Sequence, residues 1–331
     1  MTQGSLPTLP EIEEAEVKIR KYFPPTPIEY SRSISKLLGR ETYLKLETVL
    51  PIHVFKIRGA LNKFLSLPEA ELKRGVVTAS SGNHGLAIAY SSKLFGVGAT
   101  ICVPSNANPQ KVRAIEEQGA EIIKFGGGYD EAFDHALALS KEKNLKFIHA
   151  FNDRQIIAGQ GTCGLEISRQ LPGADAVVVA IGGGGLISGI AIAIKGSLPD
   201  CRVYGAETVS IPSMYESIQH GERTLVSPKP TIADGMQAAI PGELTFEAVS
   251  KFVDKIGLVD DLQLEDAIFD LLTFARILAE PAGASPLAAI RGPLSREPGK
   301  KIVLVISGGN ISMELLAAIL RKRVKGSSDN P

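Results

Sequence analysis

Short β-branched runs recur along this chain. Each leads into a tight Gly/Ser turn and then into a segment with helical periodicity. Val76-Val77-Thr78-Ala79 runs into Ser80-Ser81-Gly82-Asn83-His84-Gly85 and a helix predicted to about Leu94. Thr100-Ile101-Cys102-Val103-Pro104 precedes a helix predicted near 109–118. Ala176-Val177-Val178-Val179-Ala180-Ile181 leads to Gly182-Gly183-Gly184-Gly185 and a helix through about Lys195. Lys301-Ile302-Val303-Leu304-Val305-Ile306 leads to Ser307-Gly308-Gly309-Asn310 and a helix to about Lys322. The runs are nearly continuously apolar, as strands buried on both faces of a parallel sheet must be. Regular alternation of strand and helix predicts an α/β fold.

The N-terminal stretch has a different pattern. Thr8 stands three residues before Glu11, with Pro10 between them. This is capping-box spacing with a proline in the first turn, and it predicts a surface helix over 10–22. Phe23-Pro24-Pro25-Thr26-Pro27 breaks that helix. Thr42-Tyr43-Leu44-Lys45-Leu46 alternates as a half-buried strand does. The polar tail 325–331 is expected to be disordered. In open parallel sheets, sites lie at the carboxyl ends of the strands. The three Gly/Ser turns at 80–85, 182–185 and 307–310 all fall there, so they are predicted to meet in one crevice.

Composition narrows the function classes. At 331 residues the chain is long enough for about two domains. It is 44% hydrophobic with no net charge, which gives no reason to propose nucleic acid or a membrane surface as partner. No run of about eighteen uncharged apolar residues is present. The segment from Glu11 to Arg20 is too charged for a secretory signal, so a cytoplasmic location is expected. Cys102, Cys163 and Cys201 are far apart and form no CxxC pair, which suits buried thiols in a reducing compartment. The histidines show no HxxxH or HExxH spacing, and no metal site is predicted.

Chemistry enters at the turns. Gly182, Gly183, Gly184 and Gly185 end a strand and open a helix. Backbone without side chains lets several N–H groups face one anion, and the helix dipole adds positive potential, so the run reads as a phosphate cradle. A plain turn needs only one or two glycines, and each further one adds chain entropy lost on folding. No Lys-Ser/Thr follows, so this is not a P-loop, and a dinucleotide fingerprint fits poorly. Lys56 lies between Phe55 and Ile57, where desolvation would lower its pKa and make the amine nucleophilic. Taken alone, such a lysine is more often a solvated surface charge. Successive N–H groups from Ser80 to His84 suit a carboxylate, and Asn83 can donate to a phenolate-like oxygen. A histidine like His84 more often packs than catalyses, and a serine like Ser307 after a strand is often only a helix cap.

The order of these motifs resembles the fold-type-II pyridoxal-5′-phosphate (PLP) enzymes, in the serine/threonine dehydratase and serine racemase branch, from about Thr26 to Ile319. The resemblance implies a tryptophan synthase β-like α/β fold with mostly parallel sheets flanked by helices. It implies a large PLP-binding domain of residues 1–64 and 151–331 and a small mobile domain of residues 65–150. Lys56 would carry PLP as a Schiff base, with Phe55 beside the ring and Asn83 on its 3′-oxygen. Gly182, Gly183, Gly184, Gly185 and Leu186 would hold the phosphate. Gly235, in Ala233-Asp234-Gly235, would lie near the cofactor, and Ser307 would face the pyridine nitrogen. Ser80, Ser81, Asn83 and His84 would bind substrate, chiefly by backbone N–H groups on its carboxylate, and Asn152 matches the family's asparagine after the fifth strand. A homodimer or larger homo-oligomer acting on a small amino acid is implied by the family alone.

A neutral Ser307 cannot stabilise a protonated pyridine nitrogen as an aspartate would. That disfavours transamination and favours loss of a β-leaving group. The implied reaction is Cα proton removal by Lys56 and expulsion of the β-hydroxyl, giving a 2-keto acid and ammonia from L-threonine or L-serine. Some positions depart from the pattern. The family usually reads Thr-Gly-Ser before Phe-Lys, where this chain has Ile52-His53-Val54. Either His53 reshapes the substrate pocket toward a bulkier 3-hydroxy amino acid such as phenylserine, or it faces away and packs. Ser81 matches the opposite-face acid/base of serine racemases, so a racemase using Lys56 and Ser81 is the alternative. Glu207 matches a glutamate of the racemase metal site, but Ser213 stands where the second acidic ligand is needed, and Ala238 where racemases tend to have serine. A silent PLP-binding protein and a β-replacement synthase rank lower. No regulatory extension is expected after the catalytic unit, and hence no feedback control.

Overall fold

The computed structural model describes residues 4–328. Ten strands lie among them: β1 (Ile28–Tyr30), β2 (Glu41–Leu46), β3 (Val76–Ala79), β4 (Ala99–Val103), β5 (Glu121–Lys124), β6 (Lys146–Phe147), β7 (Ala176–Ala180), β8 (Arg202–Thr208), β9 (Lys255–Val259) and β10 (Lys301–Ile306). They build two sheets. One has the order β5-β4-β3-β6 and is wholly parallel. The other has the order β1-β2-β10-β7-β8-β9 and is parallel except where β1 meets β2. Every residue of β3, β4 and β7 is buried, which explains their unbroken apolar and β-branched character.

Helices follow the strands as the pattern requires. The helix Asn83–Phe95 ends at Gly96, whose φ of 64° is a left-handed value that glycine adopts without Cβ strain. The helices Arg154–Gln170 and Gly185–Ser197 approach closely enough that a Cβ on Gly189 would strike the backbone of Ile157 and Gly161. The Thr8 capping box forms, with the Thr8 amide donating to Glu11 at 2.8 Å. Its helix spans Leu9–Ile19 and stops short of the predicted 22, with Arg20 as C-cap. Ile12, Ala15, Glu16 and Ile19 form its buried side, so it is a packed helix and not merely a surface one.

The structure corrects two expectations. Alternation along β2 makes Lys45 an outward polar position, yet it is fully buried, because the helix Arg154–Gln170 and the chain at Thr26 cover that face of the strand. Its ammonium donates to Glu166 at 2.6 Å, to the Thr26 carbonyl at 2.7 Å and to Gln170 at 2.9 Å. Arg58 completes the cluster, with Nε 2.6 Å from Glu47 and Nη1 2.8 Å from Glu166. Two cations thus meet two carboxylates inside the protein. The second correction concerns the tail. The helix Met313–Ser328 runs through most of the segment expected to be disordered. Ile319 is buried in the core, and Lys322 pairs with Glu265 at 2.5 Å, which gives this helix tertiary support. Residues 329–331 lie outside the described part. Among the described residues, no helix is long and apolar enough to cross a membrane. Cys102, Cys163 and Cys201 are free and buried.

Candidate active site

The site begins where the chain leaves β2. A short 3₁₀ turn, Glu47–Val49, leads to a loop stitched to the end of β10. The Phe55 amide donates to the Ser307 carbonyl at 2.9 Å, and the Gly309 amide donates to the His53 carbonyl at 2.9 Å. Lys56 then opens the helix Lys56–Ser66, with Arg58 anchored in the buried ion cluster about half a turn on. Lys56 Nζ donates to the Ala150 carbonyl at 3.0 Å and lies 5.3 Å from the Phe55 ring centroid. Desolvation lowers its pKa to about 8, while the Glu280 carboxylate pulls the other way. A large fraction of this amine is therefore neutral and nucleophilic near pH 8.

The predicted turns gather around it. Gly184 has φ of 91°, and no side chain caps the helix Gly185–Ser197 that follows. The amides of its first turn lie outside the helix's own ladder and are free for an anion. Glycine is required at 183, where a Cβ would fall inside the Phe151 ring, and at 184, where it would press on Met214 and Thr245. Thr245 Oγ1 donates to the Gly183 carbonyl at 2.7 Å and fixes the loop from behind. Leu186 is buried behind the loop. Gly235, in the 3₁₀ turn Asp234–Met236, packs on Gly182: its carbonyl would lie 3.0 Å from a Cβ there.

The 80–85 turn opens the helix Asn83–Phe95, again without a side-chain cap, so its first amides are also available. Ser80 Oγ accepts from the Gly82 amide at 3.2 Å. Ser81 makes no side-chain hydrogen bond among the described residues. Asn83 is held at both ends. Its Nδ2 donates to Glu280 at 2.8 and 3.0 Å, and its Oδ1 accepts from Asn310 Nδ2 at 2.9 Å. Asn310 also donates to the Ile52 carbonyl at 3.1 Å. Ser307 is buried at the end of β10. The first and third turns therefore touch directly. The second joins them through Gly235, where a Cβ would lie 3.9 Å from Glu280.

Other predicted residues are placed differently. The His84 ring is buried, with Nε2 3.3 Å from the Ile148 carbonyl, and burial pulls its pKa down to about 3, so it is a neutral packing histidine. His53 is exposed, in a left-handed conformation with φ of 56°, and its Nδ1 lies 3.0 Å from the Thr48 carbonyl. Asn152 Oδ1 accepts from the Leu244 amide at 3.0 Å, in the first turn of the helix Glu243–Phe252. Glu207 accepts from the Met214 and Tyr215 amides, each at 2.8 Å, and Ser213 Oγ donates to the Ala238 carbonyl at 2.6 Å. Sequence reasoning missed Glu280, Asn310, Thr245 and Phe151. The signal for Glu280 was its place before Pro281, the first residue of the helix Pro281–Arg291, whose small residues allow close approach to Gly308.

A lysine amine that loses its charge near pH 8, bonded to Ala150 next to the Phe151 that packs on a glycine run at a helix start, fits an aldehyde that carries a phosphate. The chain belongs to the family described as pyridoxal-phosphate dependent enzyme, whose model matches residues 19–308. The fold is that of the fold-type-II PLP enzymes. The chain is 44% identical over 315 residues to an L-threonine ammonia-lyase of Thermotoga maritima, covering 95% of this chain and 78% of the relative. It superposes on maize serine racemase with a TM-score of 0.91 at 33% identity, covering 97% and 99% of the two chains. Threonine deaminase isoform 2 from Solanum lycopersicum gives a TM-score of 0.89 at 32% identity, covering 97% and 96%.

Proposed function

We propose that this chain is a PLP-dependent ammonia-lyase that converts a 3-hydroxy amino acid, L-threonine or L-serine, to a 2-keto acid and ammonia. The observation that carries this reading is Lys56, a desolvated amine that donates to the Ala150 carbonyl and feels the charge of Glu280, the carboxylate to which Asn83 donates. PLP supplies the carbonyl that condenses with amines and the ring that draws electrons from Cα. The amides of Gly182 to Leu186 would hold its phosphate, Phe55 would pack beside its ring, and Asn83 and Ser307 would meet its polar edge. The amides that open the helix Asn83–Phe95 orient the substrate carboxylate. Lys56 Nζ would take the Cα proton as the Cβ–O bond breaks, so that proton and hydroxyl leave together as water, and the enamine released would hydrolyse to the 2-keto acid and ammonia. The exposure of His53 and its bond to Thr48 favour the small substrates over phenylserine.

Residues 65–150, which include the whole four-stranded sheet, form a small domain that closes over the crevice. Two polar pairs from the helix Pro109–Glu116 support this. Lys111 pairs with Asp234, and Gln110 Nε2 donates to Glu314 at 2.9 Å. Closure would exclude water from the reacting centre. The protein works as a homodimer or larger homo-oligomer in the cytoplasm, where its free thiols stay reduced.

The test is 2-keto acid release from the PLP-loaded protein with L-threonine, L-serine, D-serine, 3-hydroxyaspartate and L-phenylserine. Lys56→Ala should lose both the visible Schiff-base band and turnover. Release from no substrate, with the band intact, would overturn the lyase. One observation favours a racemase as the second reading: Ser81 Oγ has no hydrogen-bond partner among the described residues, which leaves its hydroxyl free to exchange a proton with a substrate. Ser81→Ala should then abolish racemisation and spare elimination.

A further inference from the structure

Chain segment 148–153 leaves the four-stranded sheet after β6 and enters the helix Arg154–Gln170. Its residues bond to several parts of the site in turn. The Ile148 carbonyl accepts from Thr78 Oγ1 at 2.7 Å and lies 3.3 Å from His84 Nε2. The Ala150 carbonyl accepts from Lys56. The Phe151 ring fills the space that a Cβ on Gly183 would need, and the Phe151 Cβ lies 3.0 Å from where a Cβ on Gly185 would sit. Asn152 caps the helix Glu243–Phe252. Asp153 accepts from the Gln155 amide at 2.8 Å and pairs with Lys63 at 2.5 Å.

His149 holds this segment in shape. Its Nδ1 accepts the Phe151 amide at 3.2 Å and the Asn152 amide at 2.9 Å, so Nδ1 is unprotonated. Desolvation, opposed by Asp153 and aided by the Lys56 charge, keeps the ring neutral, with a pKa of about 4. The ring also sits within an aromatic column. Tyr129 lies 5.8 Å from Phe133, Phe133 lies 5.7 Å from His149, and His149 lies 4.6 Å from Phe151. The column runs from the helix Tyr129–Glu142 to the glycine cradle.

We propose that His149 is a positioning residue of the site. By accepting two successive amides, it folds the crossover so that the Ala150 carbonyl meets Lys56 Nζ while the Phe151 ring supports the glycine cradle. One imidazole thereby sets the amine and the phosphate loop in register. This rests on Lys56 and the cradle forming the cofactor site.

The test separates the acceptor from the ring. His149→Phe keeps a ring in the column and removes the acceptor, whereas His149→Asn offers an acceptor oxygen near the same place. Each apoprotein is titrated with PLP, following the Schiff-base band, and its melting temperature is recorded alone. His149→Phe should bind PLP about tenfold more weakly than wild type, or worse, and His149→Asn should recover most of that loss. Affinity that tracks melting temperature instead of the acceptor would overturn the proposal, as would wild-type affinity in His149→Phe. If His149→Phe does not fold, His149→Asn decides, and a loss beyond about tenfold in it counts against the acceptor role. A wild type that forms no band at all would overturn the cofactor reading and this inference together. A normal wild-type band with no effect of His149→Phe overturns this inference alone.

Discussion

Glu280 is buried among the groups that should handle the chemistry, and its charge acts on Lys56 across the crevice. Burial raises its own pKa, while Asn83, Lys111 and Lys56 favour the carboxylate. Removing that anion withdraws a favourable partner from the Lys56 ammonium, so Glu280→Gln should lower the Lys56 pKa below about 8. The change should be up to about one pH unit, and the pH dependence of amine labelling in the apoprotein would measure it. The amide introduced by this substitution can still accept from Asn83, so an unchanged labelling profile would refute the electrostatic role. Asn83 and the glycines stood out in the sequence because each sits in a strand–turn–helix context that restricts its use, whereas Lys56 stood out only through the order of the motifs around it. Glu280 and Asn310 were not, because their roles depend on contacts with Asn83 across 197 and 227 residues. Arg58 was hidden for the same reason. Its guanidinium holds Glu47 and Glu166 with no exposure of its own. Arg58→Met leaves two buried carboxylates with only Lys45 to balance them, which should cost about 3–5 kcal/mol in a urea unfolding titration.

At the scale of elements, periodicity located β3, β4, β7 and β10 well because these strands are buried on both faces and have no polar side to confuse the reading. β2 misled because Lys45 looks like an outward polar position and is in fact an inward charge with partners on other elements. The end of the last helix was invisible to a rule that treats polar tails as disordered, since Glu265 pairs with Lys322 from a distant helix. The helix Pro109–Glu116 was predicted as an element, but its bridging role was not. Lys111 is partly exposed and Asp234 more so, and such a pair contributes about 1 kcal/mol or less. Lys111→Met should therefore raise KM about two- to fivefold with little change in kcat, and the difference should shrink as salt is added. A KM equal to wild type at low salt would remove this helix from the closing movement.

Two neutral histidines, His84 and His149, lie near the Lys56 charge, and this arrangement makes the stability of the whole molecule depend on pH. His84 titrates near 6.5 when unfolded but only at about 3 in the folded protein. Between those values the unfolded chain binds a proton that the folded chain refuses. The contribution of His84 is thus intact above about pH 6.5 and is lost progressively as the pH falls toward 3. From pH 7 to pH 5 the loss is about 2 kcal/mol. A buried carboxyl such as Glu207, whose pKa burial pushes up to about 8, changes stability in the opposite direction between pH 7 and pH 5. The wild-type curve alone therefore cannot isolate the histidine, but a paired comparison can. His84→Gln removes the titrating ring and keeps an amide that can donate to the Ile148 carbonyl. Urea unfolding at pH 7 and pH 5 should show wild type losing about 2 kcal/mol more than His84→Gln. Parallel losses in the two proteins would mean that the folded ring takes up its proton in place, and that the packing around Lys56 yields to a second positive charge.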